Sequence, residues 1–146
     1  MKKTKIEYAN YTINPLIGCR HGCSYCYGRE MNKRFKWVKK WEEPVYQWNW
    51  IKKLKSIKNP SIIFMGSITD LFGNWLHITT IQNIIKEVSK YPQHKFLFLT
   101  KNPKRYEELE FPKHCWKGVT ITSENEIKTN RILKNIDFIS YEPLLK

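Results

Sequence analysis

Short apolar runs separated by polar and turn-forming residues dominate the chain from residue 59 onward. Each run is bounded by proline, glycine or polar residues, which is the pattern of a strand buried on both faces. These runs cover residues 61–65, 95–100, 118–122 and 137–141. A further strand, the first in the chain, is predicted over residues 11–17, directly before a cluster of cysteines.

Helical periodicity fills most of the intervals between these strands. Ile81, Ile84 and Val88 recur at the spacing of one helix face, and Thr79 or Thr80 is the expected N-cap of that helix. Pro44 and Pro60 interrupt the less regular stretch between residues 37 and 60, where only one helix is predicted. The predicted helices cover residues 27–36, 46–56, 79–90, 102–109 and 124–135.

The alternation of strands and helices predicts an α/β fold with about five parallel strands in one domain, residues 1–146. A closed eight-stranded barrel normally takes about 250 residues, so a complete barrel is not expected, and the sheet is either incomplete or part of a small unit. In parallel sheets, functional groups gather at the carboxyl ends of the strands. The residues of a functional site are therefore expected where the predicted strands end.

Composition narrows the class of protein. Hydrophobic residues make up 41% of the chain, which predicts a folded core and excludes global disorder. No run approaches the roughly 18 apolar residues of a membrane span, and no signal peptide is recognisable, so a soluble, cytoplasmic protein is expected. Three of the four cysteines lie within eight residues, an arrangement that favours a metal site in a reducing compartment over disulfides.

The charge is strongly positive and unevenly distributed. The chain has 26 Lys+Arg and 13 Asp+Glu, a net charge of +13, and residues 1–58 hold 14 of the basic and 4 of the acidic residues. Aromatic and basic residues interleave in the segment 33–58, as they do in sites for single-stranded nucleic acid. A helix with a buried aromatic stripe and a solvated lysine face would give the same pattern. The aromatic residues are Phe35, Trp37, Trp41, Tyr46, Trp48 and Trp50, among Lys33, Arg34, Lys36, Lys39, Lys40, Lys52 and Lys53.

The cysteine cluster is the feature richest in chemistry. Cys19, Cys23 and Cys26 have the spacing C-x3-C-x2-C, with Gly22 and Tyr25 inside the loop. A cubane iron–sulfur cluster normally takes four cysteines, so three leave one iron open to a small-molecule ligand. The alternative is structural zinc, with His21, His114 or Cys115 as the fourth ligand.

This spacing, with an aromatic residue before the third cysteine, resembles the radical S-adenosylmethionine (SAM) superfamily. Four further segments resemble a phage-associated, three-cysteine family within it: NPLIGC at 14–19, GSITDLF at 66–72, FLTK at 98–101 and SYEPLL at 140–145. The resemblance implies a [4Fe-4S] cluster on the three cysteines, with SAM on the fourth iron. It also implies reductive cleavage of SAM to a 5′-deoxyadenosyl radical, on a partial (βα) barrel shorter than the usual core. It implies no particular substrate.

Carried over residue by residue, the resemblance predicts SAM contacts at the strand ends. Ser67 and Asp70 would accept the methionine ammonium, and polar residues after the fourth strand would contact the ribose or the carboxylate, with Arg131 a weaker candidate. The alternatives, in which these residues have only structural roles, are a turn at Ser67, a helix cap at Asp70 and ordinary strand ends elsewhere. The full predicted cofactor-binding set is Tyr25, Gly66, Ser67, Asp70, Thr100, Lys101, Thr122, Ser123, Glu124 and Glu142.

The resemblance also bears on partners. Superfamily cores have about six βα units, so the chain is expected to be a truncated or minimal domain, whose open sheet edge a partner chain could complete. An electron donor such as flavodoxin or ferredoxin is implied. The rival hypothesis is a non-catalytic, metal-stabilised nucleic-acid-binding protein, and a third is a cluster-binding remnant without activity.

Overall fold

The computed structural model describes residues 2–123, 125–126 and 135–142. Within these residues the chain forms seven strands, three α-helices and one 3₁₀ helix at Pro103–Glu108. The strands are β1 (Tyr11–Ile13), β2 (Leu16–Ile17), β3 (Val45–Tyr46), β4 (Ile62–Met65), β5 (Lys95–Thr100), β6 (Cys115–Ile121) and β7 (Phe138–Tyr141). The helices are α1 (Tyr27–Phe35), α2 (Trp50–Lys55) and α3 (Ile78–Val88).

Five of the strands form one parallel sheet in the order β1-β4-β5-β6-β7, which is their order along the chain. The predicted α/β class and five-stranded parallel sheet are therefore confirmed. Over the described residues the sheet is open, and β1 and β7 are its two outer strands, so the structure does not show a barrel.

The sheet is held by apolar side chains on both faces. Phe96 and Phe98 of β5 are fully buried and pack with Ile81, Ile84 and Val88 of α3 in the main core. On the opposite face, a smaller cluster of buried residues consists of Ala9, Phe64 and Leu97. Burial on both faces accounts for the near-continuous apolar runs in the sequence.

The first predicted strand is wrong in its length. It breaks after Ile13, and Leu16–Ile17 pairs instead with Val45–Tyr46 in a separate antiparallel ladder. Pro15 has no N–H to donate to a ladder, and its carbonyl accepts the N–H of Gln47 at 2.7 Å. This break turns the chain away from the sheet before the cysteines.

Other boundaries also differ from the predictions. The helix predicted over 46–56 begins only at Trp50, and His77, rather than Thr79 or Thr80, caps α3 by accepting the Thr79 N–H. The helix predicted over 102–109 is a 3₁₀ helix, and β6 begins three residues earlier than expected. The helix predicted over 124–135 lies largely outside the described residues. Among those that are described, no helix has the length and apolar character that crossing a membrane requires.

Candidate functional site

The cysteine loop joins β2 to α1. It lies where the parallel strands have their carboxyl ends, which is called the carboxyl edge of the sheet. Its first residue is fixed by the N–H of Cys19, which donates to the carbonyl of Trp41 at 2.9 Å. Gly18 has φ +108°, and a Cβ there would lie 2.6 Å from the same carbonyl oxygen. The Gly18 carbonyl accepts the hydroxyl of Thr69. Glycine is required at position 18 because the loop approaches the backbone of Trp41 too closely for a side chain.

The three thiols of the loop are free and half-buried. The Sγ of Cys26 caps α1 by accepting the backbone N–H of Arg29 at 3.4 Å. Burial raises the pKa of Cys19, and the charges of Asp70 and Cys26 raise it further, while backbone N–H groups of His21 and Asp70 partly oppose them. A metal cation would reverse this balance, because a coordinating thiol is deprotonated.

Asp70 ties the loop to the sheet. It is 8% exposed and its two carboxylate oxygens accept hydrogen bonds from four donors. The donors are His21 Nε2 at 2.7 Å, Thr100 Oγ1 at 2.8 Å, Phe72 N at 2.9 Å and Lys101 N at 2.9 Å. Burial raises the pKa of Asp70, but these four bonds together outweigh it and hold the pKa below its ordinary value.

The four bonds occupy the acceptor capacity of the Asp70 carboxylate. Of these bonds, the one from His21 joins the residues farthest apart along the chain, 49 positions, because it links the cysteine loop to the segment after β4. The His21 ring also packs edge-on against Trp75, with 4.8 Å between ring centres. Asp70 in this arrangement holds the loop in place, and a role as acceptor for the SAM ammonium would require one of these donors to leave.

A second group of predicted residues meets around Tyr25. The Nζ of Lys101 lies 5.7 Å from the centre of the Tyr25 ring. Burial and a hydrogen bond with the side chain of Cys23 raise the pKa of Tyr25 to about 12, and a hydrogen bond with Thr122 opposes them. The N–H of Thr122 donates to the carboxylate of Glu126 at 2.6 Å. The ends of β5 and β6 thus face the last turn of the cysteine loop.

The turn after β4 meets the start of α1. The hydroxyl of Tyr27 donates to the carbonyl of Ser67, and the Ser67 hydroxyl donates to Asn14 Oδ1 at 3.3 Å. Gly66 has φ +77°, which the turn requires. Burial raises the pKa of Tyr27, and the nearby carboxylate of Glu142, just after β7, adds to the shift.

The described candidate residues therefore share one edge of the sheet. Ser123 follows β6, where its carbonyl accepts the N–H of Glu126 at 3.2 Å. Glu142 is exposed at the end of β7. Glu124 and Arg131 lie outside the described residues.

The residues proposed as a fourth zinc ligand are not equally placed. His114 and Cys115 lie at the amino end of β6, on the opposite edge of the sheet from the loop, so neither can complete a site there. His21 is close, but its Nε2 is engaged by Asp70. Over the described residues, no three His, Cys, Asp or Glu side chains converge as a metal-binding group.

Some contacts at this edge carry no signal in the sequence. The pairing of His21 with Asp70 spans 49 positions, and the anchoring roles of Asn14 and Tyr27 depend on contacts between residues 53 and 40 positions apart. The cysteine spacing could suggest only that His21 lies near a metal.

The aromatic residues of segment 33–58 divide between the core and the surface. Trp41 and Trp50 are buried, but Trp41 lies in a turn and Trp50 begins α2, so they do not form an aromatic stripe on one helix. Phe35, Trp37 and Trp48 are exposed. The aromatic residues of the segment therefore do not share one environment, since two are buried and three are exposed.

Comparison with known proteins places the chain in a family. A family model matches residues 3–146, nearly the whole chain. The chain belongs to the family described as Protein of unknown function (DUF5131). This DUF5131 protein is also similar to an uncharacterized protein of Methanocaldococcus jannaschii, with 33% identity over 88 residues, 60% of this chain. That stretch is 34% of the archaeal protein, so the match covers about a third of its length. No solved structure matches the chain significantly.

Proposed function

We propose that this DUF5131 protein binds a [4Fe-4S] cluster through Cys19, Cys23 and Cys26 and cleaves SAM reductively. The observation that carries the proposal is the position of the loop. Three free thiols follow one another on a turn that His21 and Asp70 fasten to the carboxyl edge of a parallel sheet. That edge is where parallel α/β folds bind ligands.

The donor set fits a cluster rather than a closed zinc site. Three thiolates leave one iron for an exogenous ligand, and the described residues provide no fourth cysteine at this edge. The sulfurs of Cys19 and Cys26 already accept backbone N–H groups, which are the contacts that tune cluster ligands. Binding requires the three thiols to turn toward one centre. Gly22, which lies inside this loop, has φ +69° and open space where a side chain would begin.

The bound cluster would supply the electron that splits SAM into methionine and a 5′-deoxyadenosyl radical. The chain's own residues would position the cysteine loop and the bound SAM. Asp70 and His21 position the loop, and Tyr25 makes a hydrogen bond with the side chain of Cys23 inside it. The Nζ of Lys101 provides a positive charge for the methionine carboxylate, while Ser67, Ser123 and Glu142 are the polar groups for the ammonium and the ribose. Gly66, Thr100 and Thr122 shape the strand ends that carry them.

The finer architecture belongs to the same proposal. We propose a partial (βα) barrel, and what supports it is a strand order that follows the chain, as consecutive βα units require. In the described part of the chain the outer strands β1 and β7 are each paired on one side only, which suits a partner chain. An electron donor of the flavodoxin or ferredoxin kind would reduce the cluster. A reducing, cytoplasmic location is proposed because all four cysteines are free.

The experiment is anaerobic reconstitution with iron and sulfide, followed by SAM and dithionite. We expect about four irons and four acid-labile sulfides per chain and formation of 5′-deoxyadenosine. The variant Cys19→Ala/Cys23→Ala/Cys26→Ala should lose both, whereas Cys115→Ala, whose thiol lies on the other edge, should retain both.

Each other result contradicts part of the proposal. One zinc and no cluster would favour the rival hypothesis, a metal-stabilised protein without catalysis. A full cluster without 5′-deoxyadenosine would leave the metal site standing and overturn SAM cleavage.

A further inference from the structure

A stacked pair of aromatic rings stands on the surface where α1 ends. Phe35 is 50% exposed and Trp37 is 39% exposed, and their rings are nearly parallel, with centres 5.5 Å apart and 14° between the planes. The guanidinium carbon of Arg34 lies 5.2 Å from the centre of the Phe35 ring. Three planar groups are thus grouped on one exposed turn.

The turn that carries this pair is held in place by its own hydrogen bonds. Asn32 clamps it, because the side-chain amide donates to the carbonyl of Val38 and accepts the N–H of Val38, both at 3.0 Å. Lys36 adopts a left-handed conformation, φ +52°, and its N–H donates to the Asn32 carbonyl at 2.8 Å. Val38 is buried directly after the pair. The exposed rings are therefore preorganised, which lowers the entropic cost of binding.

The surroundings are positively charged. Lys33 and Lys40 have partners, Glu30 at 2.6 Å and Glu43 at 2.9 Å. In the described part of the chain, the exposed cations Arg34, Lys36 and Lys39 make no ion pair with an acidic side chain. Uncompensated cations beside exposed rings favour an anionic partner that has flat apolar faces.

We propose that the Phe35–Trp37 pair is a stacking platform for single-stranded nucleic acid, with Arg34, Lys36 and Lys39 as phosphate contacts. Stacking on the rings requires unpaired bases, whose faces a duplex hides. Trp41 and Trp50 are buried, whereas the rings of this pair are exposed, so a buried aromatic stripe does not account for them. The platform does not depend on the cluster or on SAM.

The test measures binding of a labelled single-stranded oligonucleotide of about 12 nucleotides, in DNA and RNA form, to the full chain by fluorescence anisotropy. Trp37→Ala and Phe35→Ala should each weaken binding roughly tenfold, since each removes a stacking surface. The matched control is Trp116→Ala. Trp116 is 38% exposed and also has a lysine over its ring, Lys95 at 3.7 Å, but it lies outside the basic segment.

Salt and a conservative variant separate stacking from general charge attraction. The slope of log affinity against log salt should fall by roughly 0.7 in Arg34→Ala and in Lys39→Ala, because each variant removes one cation that neutralises a phosphate. Trp37→Phe should retain most of the affinity, which keeps the test valid if Trp37→Ala folds poorly. Far-UV circular dichroism of every variant checks folding.

Several results would overturn the proposal. One is the absence of measurable binding at low salt. Another is equal affinity in Trp37→Ala, Trp116→Ala and the unmodified chain. Equal binding of a duplex of the same sequence, or binding only to vesicles of anionic lipid, would show that the surface recognises charge without reading base faces.

Discussion

The carboxyl ends and the amino ends of the parallel strands, here the carboxyl edge and the amino edge, carry similar residue types in different surroundings. At the carboxyl edge, Cys19 and His21 lie beside a buried carboxylate that collects four hydrogen bonds. At the amino edge, His94 and Cys115 are buried among apolar side chains, where burial lowers the pKa of His94 and raises the pKa of Cys115 to about 12. A cysteine or histidine is thus a candidate ligand only where charged and polar groups converge on it.

The largest effect should come from removing the charge that organises the carboxyl edge. Asp70→Asn keeps the shape of the side chain but replaces one acceptor oxygen by a donor, which then faces N–H or hydroxyl donors in a buried site. We expect a loss of about 3 kcal/mol in the free energy of unfolding, measured by urea denaturation.

The matched control lies on the amino edge. Asp137 also accepts a backbone N–H, that of Lys117 at 2.7 Å, but it is exposed. Water can replace this bond, so Asp137→Asn should cost far less than Asp70→Asn. Equal losses at the two positions would contradict the assignment of Asp70 as the anchor of the edge.

This contrast also explains what the sequence could predict. β5 coincides with the predicted strand 95–100 because a strand buried on both faces has a continuous apolar run that needs no partner to be recognised. The C-x3-C-x2-C spacing is equally local. Both signals survive in the sequence because neighbouring residues carry them.

The parts that the sequence could not predict depend on distant contacts. Nothing near Asp70 indicates that His21 will bind it, and nothing near Trp41 shows that its indole will cover Gly28, where an added Cβ would meet the ring at 2.8 Å. Similarly, the periodicity of 46–56 does not show that Val45–Tyr46 pairs with Leu16–Ile17. Tertiary pairing determined these elements, so local propensity misplaced their boundaries.

An intermediate effect is expected when only the link between loop and sheet is broken. His21→Phe retains a ring to pack against Trp75 but leaves Asp70 with three of its donors. We expect a loss of roughly 1.5 kcal/mol in the free energy of unfolding. In a double-mutant cycle with Asp70→Asn, the two losses should not add, because His21 and Asp70 contact each other and both variants alter their shared hydrogen bond. Additive losses would show that His21 contributes nothing through Asp70.

The smallest effect should be at the amino edge, in the one thiol outside the loop. Cys115 is buried and acts as a small apolar residue, so Cys115→Ala should cost about 1 kcal/mol through the cavity that it leaves. The raised pKa and burial also predict slow reaction with a thiol reagent under native conditions. In the unmodified chain without added metal, the three loop thiols should react first, and Cys115 only as the protein unfolds. Rapid reaction of all four thiols would mean that the amino edge opens as readily as the loop, and the distinction between the two edges would fail.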